Sequence, residues 1–265
     1  MSISNDRVTY LDRIVAAHRA TAADDTRSPD DLIERARACP PPRGFRAALA
    51  AEESIAVISE IKRRSPSKGD LFVDLDPGEL ARAYESGGAS CLSVLTDEDW
   101  FGGSADDLGA ARGAVSLPVL RKDFTVDARD VADARLMGAD CILLIVSALD
   151  AAELADLTAL ARELQLDVLV EIHDEAELER GLAVGADLVG VNQRDLFTFE
   201  VDHARAQRMA PQMPAGVVRV AESGVRHRAD AEALGEAGYH ALLVGETLVT
   251  SGDPAREIRR LRGLD

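Results

Sequence analysis

The stretch Ile58-Ser59-Glu60-Ile61-Lys62-Arg63-Arg64-Ser65-Pro66-Ser67 sets two opposite charges at the end of a short apolar run. Ala56 to Ile61 is apolar and β-branched, which suits a buried strand. Successive side chains of a strand alternate between its faces, so Glu60 and Lys62 share one. An acid and a base carried to the end of a buried strand are costly to desolvate unless they pair or do chemistry. The Ser65-Pro66-Ser67 that follows reads as a turn, a weak signal on its own.

From Ala56 onward one unit recurs, an apolar strand and then a helix with a polar face. The strands fall at 56–61, 90–96, 119–122, 141–146, 167–172, 188–192, 217–222 and 241–245. Helices begin near Asp76, Ser104, Asp127, Asp150, Asp174, Val201 and Arg226, most behind a capping Asp or Ser, and a last one runs from Pro254 to Leu261. Gly87-Gly88, Gly138, Gly185 and Gly238 close several of them, as glycine does where a helix turns into the next strand. Eight alternating units predict an α/β fold, a closed (βα)8 or TIM barrel. A doubly wound open sheet usually has fewer strands, and no GxGxxG follows the first one. Residues 1–50 read as a helical N-terminal extension, and with 51–265 they form one domain. Within the extension, Leu11, Ile14, Val15 and His18 give Tyr10–His18 an amphipathic helical pattern, and a second helix covers Asp31–Ala38 before Pro40-Pro41-Pro42.

Composition narrows the partners. A net charge of -17 argues against nucleic acid and anionic membranes, both of which attract basic surfaces. No apolar run reaches the length of a membrane span and no signal-peptide core opens the chain, which points to a soluble cytoplasmic protein. Cys39, Cys91 and Cys141 are scattered, without the spacing of a zinc site or a disulfide framework. No metal cluster or cofactor motif stands out, so neither metal nor cofactor is expected. Barrel helices give no readable interface pattern, which leaves monomer and homodimer equally open. The basic residues comprise three lysines, Lys62, Lys68 and Lys122, and twenty-seven arginines. A GC-rich genome would account for scarce lysine but not for the acidity, whereas a salt-rich cytoplasm accounts for an acidic surface that repels itself unless screened. Lysine is retained where a compact, readily deprotonated cation is needed.

In a (βα)8 barrel chemistry sits at the carboxyl ends of the strands. Those ends carry Glu60 and Lys62, Lys122, Glu171, Asn192, Glu222-Ser223-Gly224 and Gly245-Glu246. Taken singly, each Lys or Glu reads as a solvated rim residue, Glu60 with Lys62 as a structural ion pair, and His173 as a satisfied rim histidine. Together the polar ends converge on one rim. Glycine after the seventh and eighth strands is where barrels commonly bind phosphate through backbone N–H groups, which implies a phosphorylated small-molecule substrate.

Seven ordered motifs carry a resemblance. They are Ser59-Glu60-Ile61-Lys62-Arg63-Arg64-Ser65-Pro66-Ser67, Leu95 through Ser104, Leu120-Arg121-Lys122-Asp123-Phe124, Val170-Glu171-Ile172-His173, Gly190 through Leu196, Ala221-Glu222-Ser223-Gly224 and Leu243-Val244-Gly245-Glu246. The chain resembles the indole-3-glycerol-phosphate synthase family over the whole barrel, and its N-terminal extension resembles the helical segment that in this family lies across the barrel mouth.

The resemblance implies closure of 1-(2-carboxyphenylamino)-1-deoxyribulose 5-phosphate to indole-3-glycerol phosphate in tryptophan biosynthesis, with loss of carbon dioxide and water. It implies Lys122 as general acid, with Glu60, Lys62 and Glu171 sharing the remaining proton transfers and Asn192, Glu222 and Ser223 within the catalytic group. Phe101, Phe124, Leu143 and Leu196 match the apolar positions around the anthranilate ring, Arg194 and Asn192 the polar ones near the carboxylate and hydroxyls, and Ser65, Gly224, Gly245 and Glu246 the phosphate pocket. Some relatives have Ser where this chain has Glu246; a carboxylate would repel phosphate, so only its N–H is expected to contribute, with Lys62 offsetting ligand charge. Phosphoribosylanthranilate isomerase, another phosphate-binding barrel, would need a Cys and Asp pair at strand ends, and no Cys lies at such an end. A catalytically silent barrel would be expected to have lost at least one charged strand end, and none is lost.

Overall fold

The computed structural model describes residues 9–195 and 199–264. Eight parallel strands, β1 (Ala56–Ile61), β2 (Cys91–Leu95), β3 (Val119–Lys122), β4 (Cys141–Ile145), β5 (Asp167–Ile172), β6 (Leu188–Asn192), β7 (Val218–Glu222) and β8 (Ala241–Val244), form a closed barrel. Each pairs with its sequence neighbours, and β8 closes on β1 through Ala56 opposite Ala241. The strands are only four to six residues long and β-branched or leucine-rich, as buried parallel strands are.

Alternation along the strands divides the core in two. On β4, Cys141, Leu143 and Ile145 point into the barrel, while Ile142 and Leu144 pack beneath the surrounding helices. Asp76, Ser104, Asp127, Asp150 and Asp174 cap the helices as their positions predict, each side chain accepting a main-chain N–H of the first turn. Cys91 and Cys141 are buried inside the barrel, and burial first, then nearby carboxylates, push both thiols well up. No helix among the described residues is long and apolar enough to cross a membrane.

Two expectations are corrected. No helix begins at Val201; Arg194 bridges Val201 as an antiparallel pair, Asp195 N–H donates to Glu200 O and Asp202 N–H to Gln193 O, both at 2.8 Å, and the helix is Arg205–Met209. Those cross-links pair residues 193–195 with 200–202, and the Arg205 guanidinium then ties the segment to Asn192 O at 2.7 Å.

The extension also does more than lie across the mouth. Its helices are α1 (Tyr10–Asp24), α2 (Pro29–Arg37) and α3 (Phe45–Ala50). Only α1 sits at the mouth. At the opposite end Phe45 and Leu49 of α3 fill the barrel floor, with Arg43 N–H donating to Asp140 at 2.7 Å and Arg46 N–H to Asp167 at 2.8 Å. The six residues of α3 are too few to show a helical period and leave no signal in the sequence.

Candidate active site

A cavity of about 460 Å³ opens at the carboxyl ends of the strands. Glu60, Lys62, Ser65, Phe101, Lys122, Phe124, Leu143, Glu171, Asn192, Arg194, Glu222, Ser223, Gly224, Gly245 and Glu246 all line it. Leu196 lies outside the described residues. Residues that strand ends alone do not reveal also reach it, among them Tyr10, Leu11 and Ile14 of α1, Phe199, and Thr247. For α1 a signal existed in the spacing of Leu11 and Ile14, whose apolar stripe needed a partner.

The charged floor comes from three non-adjacent strands. Lys122 Nζ stands 3.6 Å from Glu171 Oε2 and 3.9 Å from Glu222 Oε2. Both glutamates are only 2 % exposed, so their charge state is set by neighbours and not by water. Burial pushes Glu222 well up, and the Glu171 charge pushes it further, so of the two carboxyls Glu222 holds its proton the more tightly. Burial also pushes Glu171 up, but Lys122, His173 and the Asn192 amide outweigh it and hold Glu171 below the usual range as a carboxylate. Burial would lower Lys122, yet the facing charges of Glu171, Glu222 and Glu60 raise it and keep it an ammonium. One cavity thus sets an ammonium within about 4 Å of two carboxyl groups whose proton affinities are pushed in opposite directions.

The remaining groups are wired to that floor. Asn192 Nδ2 donates to Glu171 Oε1 at 3.2 Å, and its Oδ1 accepts from Ser223 Oγ at 2.9 Å and from Arg194 N–H at 3.0 Å. Asn192 opposes Glu222 directly in the β6–β7 register. Ser223 is in the left-handed region at φ +68°, a conformation that costs about 1 kcal/mol or more outside glycine. Its Oγ bond to Asn192, and the Gln193 amide donating to Ser223 O at 2.8 Å, hold it there. Gly224 follows at φ +80°, where a Cβ would lie 2.5 Å from Val201 Cγ1, so both its backbone conformation and the approach of Val201 call for glycine. Lys62 pairs with Glu60 across the mouth of β1, as period two predicts.

All three lysines of the chain stand at this cavity. Lys62 and Lys122 line it, and Lys68 Nζ reaches Glu246 Oε1 at 3.6 Å. At the apolar end Phe101 and Phe124 face each other with centroids 6.3 Å apart and planes tilted by 36°. His18, Asp97 and Asp123 are close enough together to hold a cation, but the carboxylates already accept hydrogen bonds from Trp100 N–H and Phe124 N–H and from the Thr96 hydroxyl. That group anchors α1.

A closed parallel barrel with buried acid–base groups at the carboxyl ends of its strands defines a (βα)8-barrel enzyme. Comparison with known proteins narrows the class. The indole-3-glycerol phosphate synthase family profile matches residues 11–261. An indole-3-glycerol phosphate synthase of Mycolicibacterium smegmatis is 51% identical over 255 residues, 96% of this chain and 93% of that protein. Indole-3-glycerol phosphate synthase 2 of Streptomyces coelicolor is 53% identical over 232 residues, 88% of this chain and 90% of that protein. Among solved structures, thiamine phosphate pyrophosphorylase from Pyrococcus furiosus superposes with a TM-score of 0.59 at 15% identity, covering 80% of this chain and 94% of that one, a likeness of fold alone. The chain belongs to the indole-3-glycerol phosphate synthase family and is an enzyme of that type, a carboxy-lyase.

Proposed function

We propose that the cavity closes 1-(2-carboxyphenylamino)-1-deoxyribulose 5-phosphate to indole-3-glycerol phosphate, with the protons divided according to the charge states of its three innermost groups. The observation that carries this reading is the placement of the Lys122 ammonium between Glu171, whose carboxyl is held low, and Glu222, whose carboxyl is held well up. Ring closure sends electrons from the aryl carbon into the ketone, and the oxygen must take a proton as its charge develops. Lys122 supplies that proton. Loss of the carboxylate as carbon dioxide returns an electron pair to the ring.

Dehydration then needs an acid to protonate the departing hydroxyl and a base to take a proton from the adjacent CH2. Glu171 is the base, being the carboxylate kept ionised despite burial. Lys62, partnered with Glu60, is the second acid, and its charge also faces the phosphate. Glu222 tunes Lys122, while Asn192 and Ser223 hold Glu171 in place. Phe101, Phe124 and Leu143 hold the anthranilate ring, and Arg194 the substrate's carboxylate side. Ser65, Gly224, Gly245 and the Glu246 N–H receive the phosphate. Barrel and extension work as one cytoplasmic unit in this reading, with α1 covering the bound substrate.

Product formation is followed by indole fluorescence. The parent enzyme is expected to convert the substrate, and Lys122→Met to lose turnover while substrate affinity stays within about tenfold, roughly 1.4 kcal/mol. Turnover surviving in Lys122→Met removes the acid from the scheme.

A further inference from the structure

His173 stands two residues beyond Glu171, behind the cavity wall and not in its lining. Its Nε2 lies 3.5 Å from Glu171 Oε1, and its Nδ1 lies 3.0 Å from Glu177 Oε2. The same Glu177 oxygen accepts the His173 main-chain N–H at 2.8 Å. Glu177 is itself fixed in the first turn of helix Glu175–Ala183, where its N–H donates to the Asp174 cap at 2.9 Å. The His173 and Glu177 side chains are 12% and 14% exposed, so the row from Glu171 through the imidazole to Glu177 is largely shielded from water.

An imidazole set between two carboxylates has a definite preference. Neutral, it carries one N–H and one lone pair, so it can donate to one carboxylate and must present a lone pair to the other. As an imidazolium it donates to Glu177 from Nδ1 and presents the Nε2 N–H to Glu171 at ion-pair distance. Burial opposes that charge, and so does Arg205 from the helix after β6, but Glu177 and Glu171 prevail and the imidazole is held above its ordinary value. On its other side Glu171 faces Lys122, Asn192 and Glu222. Glu171 therefore sits between the Lys122 ammonium inside the cavity and, behind it, an imidazole whose affinity for a proton the two carboxylates raise.

We propose that His173, oriented by Glu177, is a positioning residue that keeps Glu171 ionised and aimed into the cavity. The inference rests on Glu171 being the base of the reaction. It takes His173 out of the role of a merely satisfied rim histidine.

The test is the pH dependence of kcat for the parent, His173→Asn and Glu177→Gln enzymes, with Glu171→Gln alongside. Without the imidazole behind it Glu171 binds its proton more tightly, so the acid limb of kcat moves to higher pH, by about one unit in His173→Asn. Glu177→Gln moves it the same way by less. KM at the optimum stays within about twofold of the parent, since neither residue lines the cavity. A uniform loss of kcat with the acid limb at the parental pH overturns the inference, because that is what a structural role alone produces. If His173→Asn does not fold, the Glu177→Gln limb decides the matter in the same terms. Glu171→Gln separates the two claims. If it is inactive and the limbs do not move, the positioning role fails and the base stands; if it retains turnover, the base assignment fails.

Discussion

His18 Nε2 lies 2.9 Å from Asp97 Oδ2, although the two residues are 79 positions apart in the chain. Asp123 Oδ1 is 3.8 Å from the same nitrogen, so one imidazole ties α1 to the loops after β2 and β3. At the start of α1, Tyr10 rests edge-on against Trp100 and Phe199, with centroids 5.1 and 5.8 Å away. Polar tether and aromatic contact together hold α1 across the mouth.

That tether is expected to depend on pH. Burial works against a charged His18, but the Asp97 hydrogen bond and the charges of Asp123, Asp97 and Asp130 raise its affinity for a proton. A group whose folded value is raised contributes fully below its unfolded value, about 6.5, and loses the contribution as pH rises through the folded value. Amide hydrogen exchange over residues 10–24, corrected for its intrinsic pH dependence, should therefore quicken above neutrality. In His18→Ala it should be fast throughout, with about 1 kcal/mol less protection at pH 6. Equal protection of parent and variant at that pH would show that the aromatic contacts alone hold the helix.

Three glycines mark where the site has no spare room. A Cβ on Gly190 would overlap Glu222 Oε1, and one on Gly245 would overlap Glu60 Oε1. In both cases the obstacle is a side-chain end, so Gly190→Ala and Gly245→Ala should fold but displace a carboxylate and lose at least tenfold in kcat, roughly 1.4 kcal/mol. A Cβ on Gly103 would meet the Leu95 carbonyl and lie 3.1 Å from Thr96 N, both backbone. Gly103→Ala should thus lower stability by about 1–3 kcal/mol in urea unfolding. Parental kcat in the first two would mean that the carboxylates relax freely.

At the phosphate end Glu246 is paired with Lys68 at 3.6 Å, in a half-exposed position. Replacing the carboxylate removes repulsion and releases the Lys68 ammonium toward the phosphate. Glu246→Gln should lower KM several-fold with little change in kcat, since solvent-exposed charge pairs contribute about 0–1 kcal/mol. A raised KM would instead show that Glu246 is needed to position Lys68.

The net charge of -17 leads to a last expectation, that the chain is adapted to salt. Screening should raise its unfolding temperature as KCl increases toward molar concentration. Identical thermal melts at low and at molar KCl would end that reading.

Much of this was legible from local pattern. Strand boundaries match within about one residue because short β-branched runs between glycines and capping aspartates have few alternatives. The polar strand ends were equally visible, since Lys122, Glu171, Asn192 and Glu222 each close an otherwise apolar run. The pairing of residues 193–195 with 200–202 was not legible, because Arg205 and Gly224 reach that segment only after the barrel closes. Nor was α3, whose six residues are held by Asp140 and Asp167 at the barrel floor.

By itself, then, the sequence determined the eightfold alternation, the rim on which the charged residues gather, and the supply of lysine at that rim, all properties of short segments and their periods. Only the tertiary structure decided which charges face one another, that the proton affinity of Glu171 is pushed down while that of Glu222 is pushed up, and that His173 stands behind Glu171 and not at the surface. The physical reason is that the proton affinity of a buried group depends on every charge within a few ångströms. Those neighbours come from other strands, brought together by the register of a closed barrel.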